Sequence, residues 1–246
     1  MDPFSFFIIA LGLVAGALAK GATGMGLPLI AIPVMAPAIG LPHAMSIMVI
    51  PILVTNAWQI WTLRAERRRA EMRFLTPMLL IASIGVVIGT WFVASAPERL
   101  LTLTLGLLLL AYLVLRLTRP DFRVGPEAAR RWALPAGLGA GLLHGATGIS
   151  APIGVTFIHA MRLDRSGYVF AISAMFMALT AVQLPSLLVS GVMQSEWLVQ
   201  GVFALIPIVT LMPIGEWMAR KLSRQAFDRV ILAFIGLMGL KMALGV

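Results

Sequence analysis

The stretch GATGMGLPLIAIPVMAPAIGLPHAMSIMVIPILVTNAWQIWTL, from Gly21 to Leu63, runs for 43 residues without an Asp, Glu, Lys or Arg. At about 1.5 Å per helical residue it can cross a roughly 30 Å hydrocarbon layer twice, or enter it, turn back and then cross. The rest of the 246-residue chain agrees: 60% of it is hydrophobic, 12% is charged, and its mean hydropathy is +0.96. A soluble domain has about a quarter of its residues charged. The fold class is an all-α polytopic membrane protein. With no cysteine, disulfides, thiolate nucleophiles, Cys-ligated zinc and iron–sulfur clusters are excluded together. Residues 1–19 have the apolar core and small-residue end of a signal peptide, but Asp2 stands where a basic n-region would be. The segment is expected to be a retained span.

The net charge of +9 matters here through its placement, and no nucleic-acid partner is implied. Sixteen of the nineteen Lys and Arg fall in four places: Arg64 to Arg73, Arg116 to Arg131, Arg162 with Arg165, and Arg220 to Arg229. The connections Gly40–His43, Ala96–Arg99 and Gly191–Glu196 are poor in cations. Short loops rich in Lys and Arg stay cytoplasmic, so the four clusters should lie inside and the poor loops outside. Residues 44–63, 100–117 and 197–219 then run inward, and 74–95, 167–190 and 230–246 run outward, with both termini outside. Segments 3–39 and 132–161 must each begin and end on one face. Each has a long apolar arm, a Gly-rich break and a short arm (27–39 and 151–163), so each is expected to be a broken or re-entrant helical hairpin with its tip near the middle of the membrane.

The chain also repeats itself. Lys20-Gly-Ala-Thr-Gly24-Met-Gly-Leu-Pro28 aligns, at an offset of 124, with His144-Gly-Ala-Thr-Gly148-Ile-Ser-Ala-Pro152. Ala57 and Gln59 match Ala181 and Gln183 at the same offset, and Ile88-Gly-Thr-Trp91 matches Ile214-Gly-Glu-Trp217 two residues further on. Equivalent connections carry opposite orientations under the charge rule. The halves are therefore expected to be inverted repeats of about five segments each, a pattern found in transporters: 1–117, a basic cytoplasmic linker 118–131, and 132–246.

The breaks carry the candidate chemistry. Backbone that leaves helical geometry at membrane depth must be buried in protein or line a polar cavity. The glycines of Gly21-Ala22-Thr23-Gly24 and Gly145-Ala146-Thr147-Gly148 permit unusual dihedrals and close approach of a ligand. Pro28 and Pro152 suit the first turn of each short arm, which would aim a helix N-terminus at the tip and make an anion site. Thr23, Thr147 and Ser150 would add hydroxyl donors. Lys20 would supply counter-charge, since a lysine inside a span usually faces the protein interior or a water-filled path. The alternative is that it snorkels to a surface. His144 is either a ligand contact or a neutral ring bonded to a backbone carbonyl, with a proton-coupled role open to it. Asn56, Gln59, Thr180 and Gln183 sit centrally in matching spans, where they line the cavity or tie helices together. Glu216 and Arg220 read as an ordinary i,i+4 pair, and Lys241 and His159 as residues near the membrane edge.

No nucleophile–base pair, carboxylate pair, metal cluster or P-loop is legible, so neither an enzyme nor direct ATP coupling is expected, and no cofactor or metal is called for. At the motifs Lys20–Pro28 and His144–Pro152 the chain resembles the sulfite exporter TauE/SafE family, also called the four-toluene-sulfonate uptake permease family. Duplicated halves and a basic central loop agree with it. The resemblance implies transport of sulfur-containing anions such as sulfite or organosulfonates across the bacterial inner membrane. The residues themselves imply only a small anion. The expected function is a secondary-active carrier of such an anion, an exporter working by alternating access with H+ as a candidate coupling ion. The alternatives are a passive anion channel or an uptake permease. Partners are the anion and membrane lipid, and the oligomeric state stays open.

Overall fold

The computed structural model describes residues 3–24, 26–118, 125–221 and 224–245, with side chains of Pro126 and of residues 224–228 outside the description. Asp2, Met25, Asp121 and part of the 118–131 linker lie outside the described residues. Among those described, every regular element is helical: α1 (Pro3–Thr23), α2 (Leu27–Ile39), α3 (Leu41–Thr62), α4 (Leu75–Ser95), α5 (Glu98–Thr118), α6 (Pro126–Thr147), α7 (Thr156–Ala160), α8 (Arg165–Val189), α9 (Ser195–Lys221) and α10 (Arg224–Leu244). Six stretches are long and apolar enough to cross a membrane: α1, α3, Ala70–Ser95, α5, α8 and α9. The chain is a multi-pass membrane protein.

The segments read from charge placement correspond to these helices, but α6 and α10 start earlier than expected, at Pro126 and Arg224. Two other stretches differ. The basic stretch after α3 forms two short 3-10 turns, Arg64–Arg68 and Ala70–Phe74, in place of an open loop. The second short arm stops at Ala160 rather than residue 163, and it opens with a π-helical turn, Ala151–Val155. Arg162, with φ 52, carries the chain away from it.

Compactness divides the chain into two units, and each draws on both sequence halves. One comprises Met1–Pro51, Ala96–Thr118 and Met193–Val246; the other comprises Ile52–Ser95 and Arg119–Val192. In the first unit α1 packs on α2 and α9, and α5 on α10. The α1–α2 hairpin closes tightly because Gly12 and Gly16 face Ala31 and Leu27 of the returning arm. In the second unit α4 packs on α6 and α8, and the Ala151–Ala160 arm folds back on α6 and α8.

Glycine sets the closest of these contacts. In the first unit a methyl group on Gly21 would strike the carbonyl of Met212, and one on Gly215 the carbonyl of Leu18. In the second, Gly145 meets the Val86 carbonyl and Gly89 the Leu142 carbonyl in the same way. The two sets correspond residue for residue at the repeat offsets of 124 and 126. Without a hydrophobic force between helices in lipid, such small-residue contacts, which maximise van der Waals approach, are what hold spans together. Outward from them stand large apolar side chains, among them Phe4, Trp58, Leu80, Trp91 and Phe203, all more than half exposed.

The α4–α6 seam therefore should not tolerate added volume. Gly141 faces the Ala82 carbonyl, whereas Gly125 has open space around it. Gly141→Val should destabilise the protein by about 1–3 kcal/mol, read as a lowered melting temperature in detergent, while Gly125→Ala should leave it unchanged.

Candidate functional site

Both hairpins break by the same local device. Gly24 (φ 77) and Gly148 (φ 72) adopt left-handed backbone. Their N–H groups donate to the carbonyls of Lys20 and His144, each at 2.7 Å. This is the left-handed glycine C-cap, which satisfies a helix-end carbonyl that lipid could not. Beyond it the two tips diverge. Gly26 precedes α2 with φ 105, a conformation that favours glycine, whereas its counterpart Ser150 has φ −105. Serine is thus admissible where the first repeat needs glycine, and the arm that follows is the π turn. Pro28 and Pro152 each fall in the first turn after the break.

Lys20 lies within α1, one turn before the break, and is 2% exposed. His144 is fully buried. Its Nε2 stands 3.2 Å from Thr180 Oγ1, and its carbonyl accepts from Gln183 Nε2 at 2.8 Å. Phe176 tilts against the ring. The structure thus gathers His144, Thr180 and Gln183 into one buried cluster. Gln59, the repeat equivalent of Gln183, has a different partner: its Oε1 accepts from Ser173 Oγ at 2.9 Å. Asn56 donates to the Ile52 carbonyl of its own helix at 2.7 Å.

Two expectations change. The hydroxyls of Thr23 and Thr147 donate to the carbonyls of Ala19 (2.8 Å) and Leu143 (2.7 Å), and Thr147 Oγ1 also accepts from the Ile149 N–H at 3.2 Å, so both serve the backbone of the break. Gly21 and Gly145 serve helix packing, their faces closed by Met212 and Val86. Ala22 and Ala146, beside them, are half-buried. Ser150 behaves otherwise: its hydroxyl is fully buried. Among the described residues three buried side-chain atoms have no hydrogen-bond partner, namely Ser150 Oγ, His144 Nδ1 and Thr90 Oγ1.

Sequence reasoning missed two groups here. A narrow cavity of about 30 Å³, lined by Thr23, Gly26, Tyr112 and Arg116 among others, adjoins the first tip. It has room for about one water. In the sequence Arg116 reads as part of the basic loop, because nothing local shows that the last turn of α5 packs beside a break some ninety residues earlier. Thr90 sits on α4 with its backbone against Gly145, and the only sequence signal for it was its place in the repeated Ile-Gly-Thr-Trp motif.

Several other charged groups take structural partners. Asp164 caps α8, accepting from the Gly167 N–H at 3.0 Å. Arg69 reaches it from the turns after α3, 2.8 and 2.9 Å from the two carboxylate oxygens, while also binding Glu66 at 2.6 Å. Arg69 first, then the Gly167 N–H, hold the Asp164 carboxyl below the usual carboxylate range. Glu216 and Arg220 pair at 3.6 Å. His159 packs edge-on to Tyr168, and Lys241 is exposed. His43 stacks on Trp197 at 4.4 Å and meets Gln200 Oε1 through Nε2 at 2.7 Å.

Paired broken hairpins, buried Lys20 and His144, and an apolar exterior define a multi-pass membrane protein with interior polar tips, the class to which transporters belong. The sequence profile of the sulfite exporter TauE/SafE family matches residues 8–242, and the chain belongs to that family. It is a family of membrane transporters of sulfite. No curated protein and no solved structure matches the chain.

A depressed carboxyl contributes stability above its unfolded value of about 3.9, and that contribution is lost as pH falls through the lower folded value. Melting temperature should thus drop on acidification below about pH 4. Both Asp164→Asn and Arg69→Gln should flatten that drop, measured as thermal unfolding against pH.

Proposed function

We propose that this protein is a secondary-active carrier of a small sulfur-containing anion, of sulfite or organosulfonate type, exporting it by alternating access. The observation that carries the reading is Lys20, 2% exposed inside an apolar span one turn before a break. A charge at bilayer depth costs roughly 2.5–3.5 kcal/mol on insertion scales and marks substrate pathways. An oxyanion drawn to that position would recover the cost, and the N-terminus of α2 adds partial positive charge there. Arg116 supplies a second cation near the same tip. At the other tip, Ser150 Oγ and His144 Nδ1 are buried without partners, as polar groups awaiting a ligand would be.

The repeat favours a carrier over a channel. The matched glycine contacts, α1 on α9 and α6 on α4, support two equivalent five-segment halves, 1–117 and 132–246, that exchange helices. With the charge clusters inside, those halves are inverted, both termini face outward from the bacterial inner membrane, and the hairpins are re-entrant. Alternating access is the behaviour such a pair allows. A proton is the candidate driving ion, with His144 as a group that could carry it.

Lys20→Ala should abolish uptake of labelled sulfite or sulfonate into proteoliposomes while the purified variant still folds, and Lys241→Ala should change little. Equal transport by wild type and Lys20→Ala would overturn the assignment. Substrate on the far side should accelerate uptake; a passive anion channel, the second reading, shows no such counterflow.

A further inference from the structure

The turns after α3 and the entry to α8 hold seven arginines and three carboxylates, in residues 64–73 and 162–165. One arginine takes all three acids. Arg69 lies 2.6 Å from Glu66, 3.4 Å from Glu71 and 2.8 Å from Asp164. Arg67, Arg68, Arg73 and Arg165 are exposed and, among the described residues, have no ion-pair partner. The acids are thus occupied by one side chain, and the arginines around it keep their full charge.

This basic face is fixed to the second unit. Met72 and Phe74 are buried, so the turns are pinned down on either side of the exposed Arg73. Phe74 packs edge-on to Phe157, with ring centroids 6.0 Å apart. Met72 and Arg69 lie against Gly167 at the start of α8.

Its depth is set by the spans on either side. α3 ends at Thr62 and the next apolar stretch opens at Ala70, and each is long enough to cross a membrane. Arg64, Arg67 and Arg68 fall in the few residues between, where the chain has just left hydrocarbon and is about to re-enter it. Trp61, one turn before them, is 67% exposed, and Arg64 sits 4.9 Å over its ring. Tryptophan at the end of a span belongs to the headgroup level. Guanidinium groups held at that level meet phosphodiesters, which they bind through paired N–H donors. A partner from solution would have to displace lipid to reach them.

We propose that this face binds anionic phospholipid head groups of the adjoining leaflet, with Arg67, Arg68 and Arg73 as the phosphate contacts and Arg69 keeping the acids away from them. Lipid binding here is independent of which anion is carried.

The full chain in phosphatidylcholine vesicles containing a minor fraction of dibrominated lipid tests this, because bromine quenches tryptophan on contact. The Trp61 signal is the part of the fluorescence that Trp61→Phe removes. Dibrominated phosphatidylglycerol should quench it at least about tenfold more effectively than dibrominated phosphatidylcholine, since one arginine near an anionic surface contributes about fivefold. Arg67→Gln, Arg68→Gln and Arg73→Gln combined should abolish the preference. The melting temperature in neutral detergent should stay unchanged, because these side chains have no ion pair to lose. Arg220→Gln with Lys221→Gln, in the first unit, should leave the preference intact. No preference in wild type, or one that survives the triple variant, would overturn the proposal. Loss of the preference in the Arg220 and Lys221 variant would make it a property of net charge and overturn it equally. If polyphosphate or RNA in solution binds wild type and not the triple variant, while Trp61 shows no lipid preference, the face serves a soluble partner and the lipid assignment falls.

Discussion

A helix end packed inside a protein must satisfy its last carbonyls from within the chain, and this requirement shapes both hairpins. At Lys20 and His144 the solution is the same: a left-handed glycine four residues on turns its N–H back to the carbonyl at 2.7 Å. A side chain with a Cβ would oppose that conformation by roughly 1–2 kcal/mol, and the free carbonyl would cost more in lipid. The residue one turn before each break is packed inside the protein, Lys20 at 2% exposure and His144 fully buried.

The glycines earlier in each motif solve a separate problem. Gly21 and Gly145 bring a neighbouring helix backbone into contact, with Gly215 and Gly89 answering from the other side. Since α9 belongs to the second half of the chain and α4 to the first, each hairpin is held by a helix from the opposite half. A four-residue motif thus carries two physical duties, one glycine for packing and one for the turn. The alternation explains why the motif recurs whole rather than as a scattering of small residues.

Much of this was legible in the residues. Charge placement located the apolar spans because lipid imposes a fixed span length, but it missed the starts of α6 and α10, at Pro126 and Arg224, because helix continues through the charged residues read as loop. The breaks were legible because glycine followed by proline leaves few conformations. Polar partnerships were not. Thr23 and Thr147 read as donors toward a ligand, yet a hydroxyl in a helix finds the i−4 carbonyl within reach. Asp164, surrounded in sequence by Arg162 and Arg165, takes Arg69 from ninety-five positions away. Arg116 and Thr90 gained meaning only from neighbours brought up by tertiary packing. Patterns that depend on one helix survive in the sequence, whereas those that depend on which helix lies opposite do not.

The two tips, alike in backbone, differ in what they present. Lys20 brings a full charge, while His144 is tied through Nε2 to Thr180 and through its carbonyl to Gln183, with Nδ1 left over. Gly26 keeps the first tip bare where Ser150 adds a buried hydroxyl to the second. On the proposed reading, the first tip favours an anion by charge and the second by hydrogen bonds. A lysine answers any small anion alike, since a compact cation on a flexible stem imposes little geometry. The second tip is the more selective of the two in kind, because the unpartnered Ser150 Oγ and His144 Nδ1 are directional groups.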